Sequence, residues 1–364
     1  MADFHVSDRI TIQSHKGEYT ASFIRGGMDQ LNSDPIMNAI YIVDQNIAQL
    51  FRERISNILN TQRVLTIEST EENKSLNHFP AYVEALIELK VRRDQTLVAI
   101  GGGIVQDITC FLAATVMRGL PWVFYPTTLL AQSDSCIGSK SSINSGEVKN
   151  ILGTFTPPNK VIIDVDFLET LEKKDIFSGI GEMLKVHAIN SPSDFDRISA
   201  NYEKIISDQS VIEKFIYDSL LMKKKLIEID EFDQGPRNVM NYGHSFGHAI
   251  ESATNYGVPH GIAVTMGMDI ANYVASKLGV SKVEHFERMH EVMEKNYRSY
   301  RHVNISVEVL MDALSKDKKN SATQLRLILP DQEGHIGIGL YDNNDMLVNA
   351  INDYFVQYGG KQSQ

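Results

Sequence analysis

Thr96-Leu97-Val98-Ala99-Ile100-Gly101-Gly102-Gly103-Ile104-Val105-Gln106-Asp107 runs from an apolar stretch through three glycines into a segment that reads as a helix over residues 107–117. The apolar part does not alternate with polar residues, which is the pattern of a strand covered on both faces. The same texture recurs upstream at residues 39–43, closing on Asp44, and at 63–67. Downstream it returns at 122–125 and 161–163. Such strands alternating with helical stretches predict an open α/β sheet with helices on both faces. Past Leu171 the texture changes to long periodic segments, 173–189, 210–228, 244–254 and 262–277, with a strand-like run left at 325–329. These predict a mainly α-helical second domain. The division falls near residues 170–180, giving domains 1–175 and 176–364, with no Gly/Ser-rich linker to mark it.

A chain of 364 residues suggests about two domains at roughly 100–200 residues each. Hydrophobic residues make up 43% and charged residues 22%, which excludes whole-chain disorder. The formal net charge is −11, so the global basic field of a nucleic-acid binder is absent. That total also argues against an anionic ligand, but net charge governs solubility and long-range fields rather than one local site. The two cysteines, Cys110 and Cys136, exclude a disulfide framework and point to reduced thiols in a cytoplasmic protein. The first residues carry no basic and apolar signal-peptide pattern, and no apolar run of about 18 residues predicts a membrane span. The polar end, residues 361–364, is expected to fray.

Three constellations carry chemistry. Gly101-Gly102-Gly103 lies between a strand and a helix, where glycines admit a phosphate close to the backbone and the helix N-terminus favours negative charge. The full G-x-G-x-x-G pattern is missing, so the triplet alone is equally a plain strand-to-helix turn. Asp44 and Thr127-Thr128 close other strands, at the carboxyl ends where open α/β sheets bind ligands, and the combination favours a dinucleotide. His244 and His248 are spaced i,i+4, on one face of a helix. With His260 and Glu182 they form a donor set suited to Zn²⁺, although isolated histidines are commonly structural. The third set is cationic: Lys140, Lys149, Lys185, Lys223, Arg237 and Lys318. Lys140 and Lys149-Asn150 fall in a Ser/Gly/Asn-rich stretch that reads as a loop. Lys185 lies one turn after Glu182, so it shares whatever site Glu182 serves.

Taken together, these segments resemble the 3-dehydroquinate synthase family of sugar phosphate cyclases. The likeness rests on Gly101-Gly-Gly-Ile-Val-Gln-Asp107, Met117-Arg118-Gly119, Pro126-Thr-Thr-Leu-Leu-Ala-Gln-Ser-Asp134, Lys149-Asn150, Gly181-Glu182-Met-Leu-Lys185 and residues 237–248, in order over about residues 40–330. The resemblance implies a Rossmann-like NAD-binding α/β domain, a helical metal-binding domain and an active site between them. It implies metal ligation, by Zn²⁺ or Co²⁺, at Glu182, His244 and His260, which moves His248 to the substrate. It implies NAD contacts at Asp44, Asn46, Glu71, Lys74, Gly102, Gly103, Asp107, Thr127, Thr128 and Thr170. A sugar acid phosphate would be met by Lys140, Lys149, Asn150, Lys185, Lys223, Arg237, Asn241, His248 and Lys318, with Asp134, Lys140, Asn150, Lys185 and His248 closest to the chemistry. Arg118 matches an arginine that reaches the phosphate site of a neighbouring subunit, so a homodimer is implied.

The implied reaction oxidises one sugar hydroxyl with NAD, eliminates phosphate, returns the hydride and closes a carbocycle by an aldol step. Arg237 with Asn241 distinguishes an acid substrate, because cyclases of neutral sugars have no carboxylate to pair and burying an idle guanidinium is costly. The chain departs from the family pattern at Gly138-Ser139-Lys140-Ser141-Ser142-Ile143-Asn144, at Asp233 for the usual glutamate, at Glu172 for proline and at Ile262 for glutamate. Two other readings stand beside the synthase: a cyclase acting on sedoheptulose 7-phosphate, and a metal-dependent alcohol or glycerol dehydrogenase.

Overall fold

Seven strands form the main sheet, in the order β1-β2-β9-β6-β5-β3-β4. The strands are β1 (Arg9–Ser14), β2 (Gly17–Phe23), β3 (Ala39–Asp44), β4 (Val64–Ile67), β5 (Thr96–Gly101), β6 (Trp122–Pro126) and β9 (Lys160–Ile163). All neighbours pair in parallel except the β1–β2 hairpin. The computed structural model describes residues 9–146, 148–303, 305–315 and 323–359. Every residue of β3 is buried, as are the last five of β5, which is why these runs are apolar throughout. Full burial of each such branched side chain contributes about 1.5–3 kcal/mol. Parallel pairing brings the strand ends together: Val43 lies opposite Ile100, and Gly101 opposite Pro126. Asp44, Gly102 and Thr127 therefore emerge side by side at the carboxyl ends of three neighbouring interior strands.

The helix expected over 107–117 runs instead from Gly103 to Thr115. It starts at the glycines, and it cannot reach Met117 because Met117, Arg118 and Gly119 have φ of 52°, 68° and 127°. The expected loop at 140–150 is also corrected. It is a hairpin of β7 (Lys140–Ser145) and β8 (Val148–Phe155), with Lys140 opposite Phe155 and Ile143 opposite Leu152. Its apolar residues do not mark a buried face, since Val148, Ile151 and Phe155 are exposed, so periodicity does not reveal it. Hydrogen bonds to neighbouring elements hold it: Asn144 N–H donates to Lys74 O at 3.0 Å and Ser142 N–H to Asp107 Oδ1 at 3.2 Å.

The chain divides into two compact units: residues 1–172 with 216–234, and 173–215 with 235–364. A cut at 175/176 leaves residues 216–234 with the helical half, whereas they group with the sheet. Tyr217 packs edge-on against Phe23, Lys223 pairs with Asp134, and Glu228 and Glu231 accept backbone N–H groups from Gln13 and His15.

The second unit is built around the helix His260–Lys277, in which every residue from Gly261 to Ala275 is buried. Packed about it are the helices Lys173–Asn190, His244–Ala253, Val283–Tyr297 and Asp345–Tyr358, and the hairpin of β10 (Gln324–Pro330) and β11 (Ile336–Asp342). Glycines bring three of these helices to backbone contact. A Cβ at Gly261 would lie 1.9 Å from Ser178 O, one at Gly181 2.1 Å from Gly261 O, and one at Gly267 2.1 Å from Gly243 O. Gly243 adopts a left-handed φ of 77° just before the helix that begins at His244.

Candidate metal and nucleotide sites

In the first unit Asp44 caps the helix Gln45–Leu50, taking the Asn46 N–H on Oδ1 at 2.8 Å, while Ser69 Oγ donates to Oδ2 at 2.5 Å. Next to it the Gly101–Gly103 turn feeds the helix Gly103–Thr115. A Cβ at Gly102 would come within 2.9 Å of the Thr128 methyl group, so only glycine lets the turn lie against Thr128. Thr127 N–H donates to Gly101 O at 2.9 Å, and Thr128 Oγ1 accepts the Ala131 N–H at 3.2 Å. Thr170 ends the 3₁₀ turn Val165–Thr170.

Lys74 is buried and organises a polar cluster. Its Nζ lies 3.0 Å from Asp107, 2.8 Å from Asn150 Oδ1 and 3.7 Å from Glu71. Desolvation holds the Asp107 carboxyl above its ordinary value, with Lys74 opposing it. Asn144 joins the pieces: its Nδ2 donates to Glu71 Oε2 at 2.9 Å, and its Oδ1 accepts the Asn150 N–H at 2.9 Å. Lys149 lies 3.9 Å from Glu71. Asn150 itself holds a left-handed φ of 53°, a conformation that asparagine tolerates better than most residues. Asn144 was not among the expected site residues, although its place in the altered Ser/Ile/Asn stretch was visible.

A second polar group of this unit pairs Lys223 with Asp134. Lys223 Nζ reaches Asp134 Oδ1 at 2.5 Å and its carbonyl at 2.6 Å. Asp134 lies on a single wide helical turn, Ala131–Ser135. Cys136 follows it, and burial pushes its thiol up to about 12, which favours the neutral thiol. Lys140 Nζ lies 2.9 Å from Asp233, which stands where the family pattern has glutamate.

The second unit brings Glu182, His244 and His260 together, with one potential ligand atom from each within 4.8 Å of the others. Each adjoins a close-packing glycine: Gly181, Gly243 and Gly261. Glu182 is 2% exposed, lies 3.3 Å from His260 Nε2 and 3.9 Å from His244 Nε2, and is in direct ion-pair contact with Lys185. Burial alone would raise the Glu182 carboxyl, but Lys185 and the two imidazoles hold it well below its ordinary value. Burial, then the Lys185 charge, push His244 well below its ordinary value. His260 goes the other way, to about 10, because Glu182 and Glu251 outweigh the cost of its burial. One buried carboxylate and two imidazoles on three rigid elements are a donor set that fits a divalent ion such as Zn²⁺ or Co²⁺.

His248 stands beside this trio, its ring centroid 5.3 Å from that of His244 and 5.9 Å from that of His260. Arg237 is buried in the turn Pro236–Asn241, where Asn241 Nδ2 donates to Asn238 O at 3.1 Å. Arg118 is exposed at the left-handed turn after the glycine-start helix. Lys318 lies outside the described residues. Sequence reasoning passed over Glu251, whose carboxylate lies 3.2 Å from His260 Nδ1. Its i,i+3 spacing from His248 is the signal that could have found it.

Comparison with known proteins gives a concordant result along the chain. A family model for the 3-dehydroquinate synthase N-terminal region matches residues 64–178, and one for the C-terminal region matches residues 179–320. A 3-dehydroquinate synthase of Dictyoglomus turgidum is 36% identical over 338 residues, covering 91% of this chain and 88% of that protein. Among solved structures, a 2-deoxy-scyllo-inosose synthase in complex with carbaglucose-6-phosphate, NAD⁺ and Co²⁺ superposes with a TM-score of 0.83. It is 22% identical and covers 95% of this chain and 99% of that one. The 2-epi-5-epi-valiolone synthase of Streptomyces hygroscopicus, with NAD⁺ and Zn²⁺ bound, gives 0.81 at 22% identity, covering 93% and 97%.

Proposed function

This chain belongs to the 3-dehydroquinate synthase family, and we propose that it converts 3-deoxy-D-arabino-heptulosonate 7-phosphate to 3-dehydroquinate and inorganic phosphate, a step of the shikimate pathway. The observation that carries this reading is the trio of buried Glu182 with half-buried His244 and His260, Lys185 against the carboxylate, in a chain matched along most of its length to synthases. When bound, NAD supplies a temporary oxidation and the divalent ion acidifies a substrate hydroxyl.

The protein's own groups supply the rest. Asp44 and the Gly102-Gly103 turn suit a dinucleotide's ribose and phosphates, with Asn46, Glu71, Lys74, Asp107, Thr127, Thr128 and Thr170 around it. Lys185, fixed beside Glu182, is placed to stabilise negative charge on the reacting oxygen. Lys223 and Arg237 answer the substrate carboxylate, the arginine through its two-pronged planar fork. Lys140, Asn241, His248 and Lys318 answer the phosphate, and Lys149, Asn150 and Asp134 complete the set. Arg118 serves the phosphate site of a second copy in a homodimer. Two buried free thiols suit the reducing cytoplasm.

The reading is tested by phosphate release. The heptulosonate phosphate should yield one phosphate per turnover with no net NADH. Turnover of sedoheptulose 7-phosphate alone would replace the synthase by a neutral-sugar cyclase, and stoichiometric NADH would replace it by a dehydrogenase.

A further inference from the structure

The His260 imidazole lies between two carboxylates. Its Nε2 is 3.3 Å from Glu182 Oε1, and its Nδ1 is 3.2 and 3.3 Å from the two oxygens of Glu251. Glu251 reaches this position from the helix His244–Ala253. On that helix His244, His248 and Glu251 are spaced i, i+4, i+7, which puts all three on one face. The element that presents the ligand His244 therefore also presents a carboxylate to the far side of His260.

A neutral imidazole has one N–H and one lone pair, and the partner of one nitrogen decides the role of the other. With a carboxylate against Nδ1, the proton belongs on Nδ1 and the lone pair on Nε2. Nε2 is the nitrogen that faces Glu182, the most deeply buried acid of the set. The alternative grouping, His248, Glu251 and His260, also brings ligand atoms within 4.8 Å. It would use Glu251 as a ligand and turn the His260 Nε2 proton toward Glu182, leaving that buried carboxylate without the ion.

We propose that Glu251 is a positioning residue: it accepts the His260 Nδ1–H, locks the tautomer and ring orientation, and so offers Nε2 to the ion shared with Glu182 and His244. This rests on the metal reading given above. Outer carboxylates that orient a ligating histidine are worth about 10–100-fold in metal affinity.

The test measures Co²⁺ affinity of the stripped full-length protein by competition with a chromophoric chelator, with the visible Co²⁺ spectrum as a second readout. Glu251→Ala should weaken binding about 10–100-fold. Glu251→Gln should weaken it less, because the amide oxygen still accepts from Nδ1–H. It is also isosteric, so it keeps the test open if the alanine variant does not fold. His248→Ala should bind Co²⁺ as the wild type does. Wild-type affinity in both folded Glu251 variants would overturn the proposal. So would a loss in His248→Ala equal to that in Glu251→Ala, which would move the ion to the alternative grouping. Failure of the wild type itself to take up Co²⁺ would sink the underlying metal reading, and the inference with it.

Discussion

Glu182 holds a full negative charge in a position that is 2% exposed because Lys185, His244 and His260 surround it. Removing one of these partners leaves the buried Glu182 carboxylate less compensated. His260→Ala is therefore expected to abolish stoichiometric metal content as measured by elemental analysis, and unchanged content would refute its place as a ligand. Arg237→Ala should lower kcat/KM for the heptulosonate phosphate roughly 10- to 150-fold, from a charge-assisted hydrogen-bond loss of about 1.5–3 kcal/mol. An equal loss with a substrate lacking the carboxylate would contradict that role. The residue types at these positions were legible in the sequence. Which imidazoles face Glu182 came only through the family resemblance, because the i,i+4 spacing of His244 and His248 says only that they share a helix face. That choice depends on how three helices cross.

Those crossings are set at the level of elements by glycines. Gly261→Ala would drive a methyl group into Ser178 O and should cost about 1–3 kcal/mol of stability as overpacking. It should lower metal affinity as well, since His260 and Glu182 ride on the two helices being pushed apart. Gly337, in β11, has open space at its Cβ, so Gly337→Ala should leave the melting temperature nearly unchanged. Equal melting temperatures for the two variants would contradict the close-packing argument.

Segment 216–234 offers a second element-level test. Burial would raise the Glu231 carboxyl, but hydrogen bonds from the His15 side chain and backbone and from Ser139 hold it below its ordinary value. A depressed carboxyl stabilises the fold above its unfolded pKa and loses that contribution as pH falls through its folded pKa. The stability gap between wild type and Glu231→Gln should therefore be present near neutrality and close in acid. A gap that widens in acid would reverse the assignment. The continuous apolar strands were readable. β1 and β2 are of the other type: their burial alternates, the half-buried pattern that Arg9-Ile10-Thr11-Ile12-Gln13 carries and that a search for continuous apolar runs passes over. The β7–β8 hairpin was not readable, because it depends on polar hydrogen bonds to Lys74 and Asp107, which no local pattern announces.

At the scale of the molecule, the net charge of −11 coexists with Lys74, Lys185, Lys223 and Arg237 buried as local positive charges. The total is thus a poor guide to the ligand, and the acid excess leaves these buried cations in place. The proposed homodimer makes a prediction of the same scale. Mixed Arg118→Ala and Lys185→Ala protomers should regain activity that neither variant has alone, because one site of each mixed pair is whole. No recovery, with dimers present by sedimentation, would remove Arg118 from the neighbouring site. The most direct measurement is phosphate release from 3-deoxy-D-arabino-heptulosonate 7-phosphate by the metal- and NAD-loaded protein, with NADH absorbance followed in the same cuvette. Continuous release of phosphate with no accumulation of NADH is the predicted result. NADH accumulating in step with substrate consumption, or no phosphate at all, would contradict it.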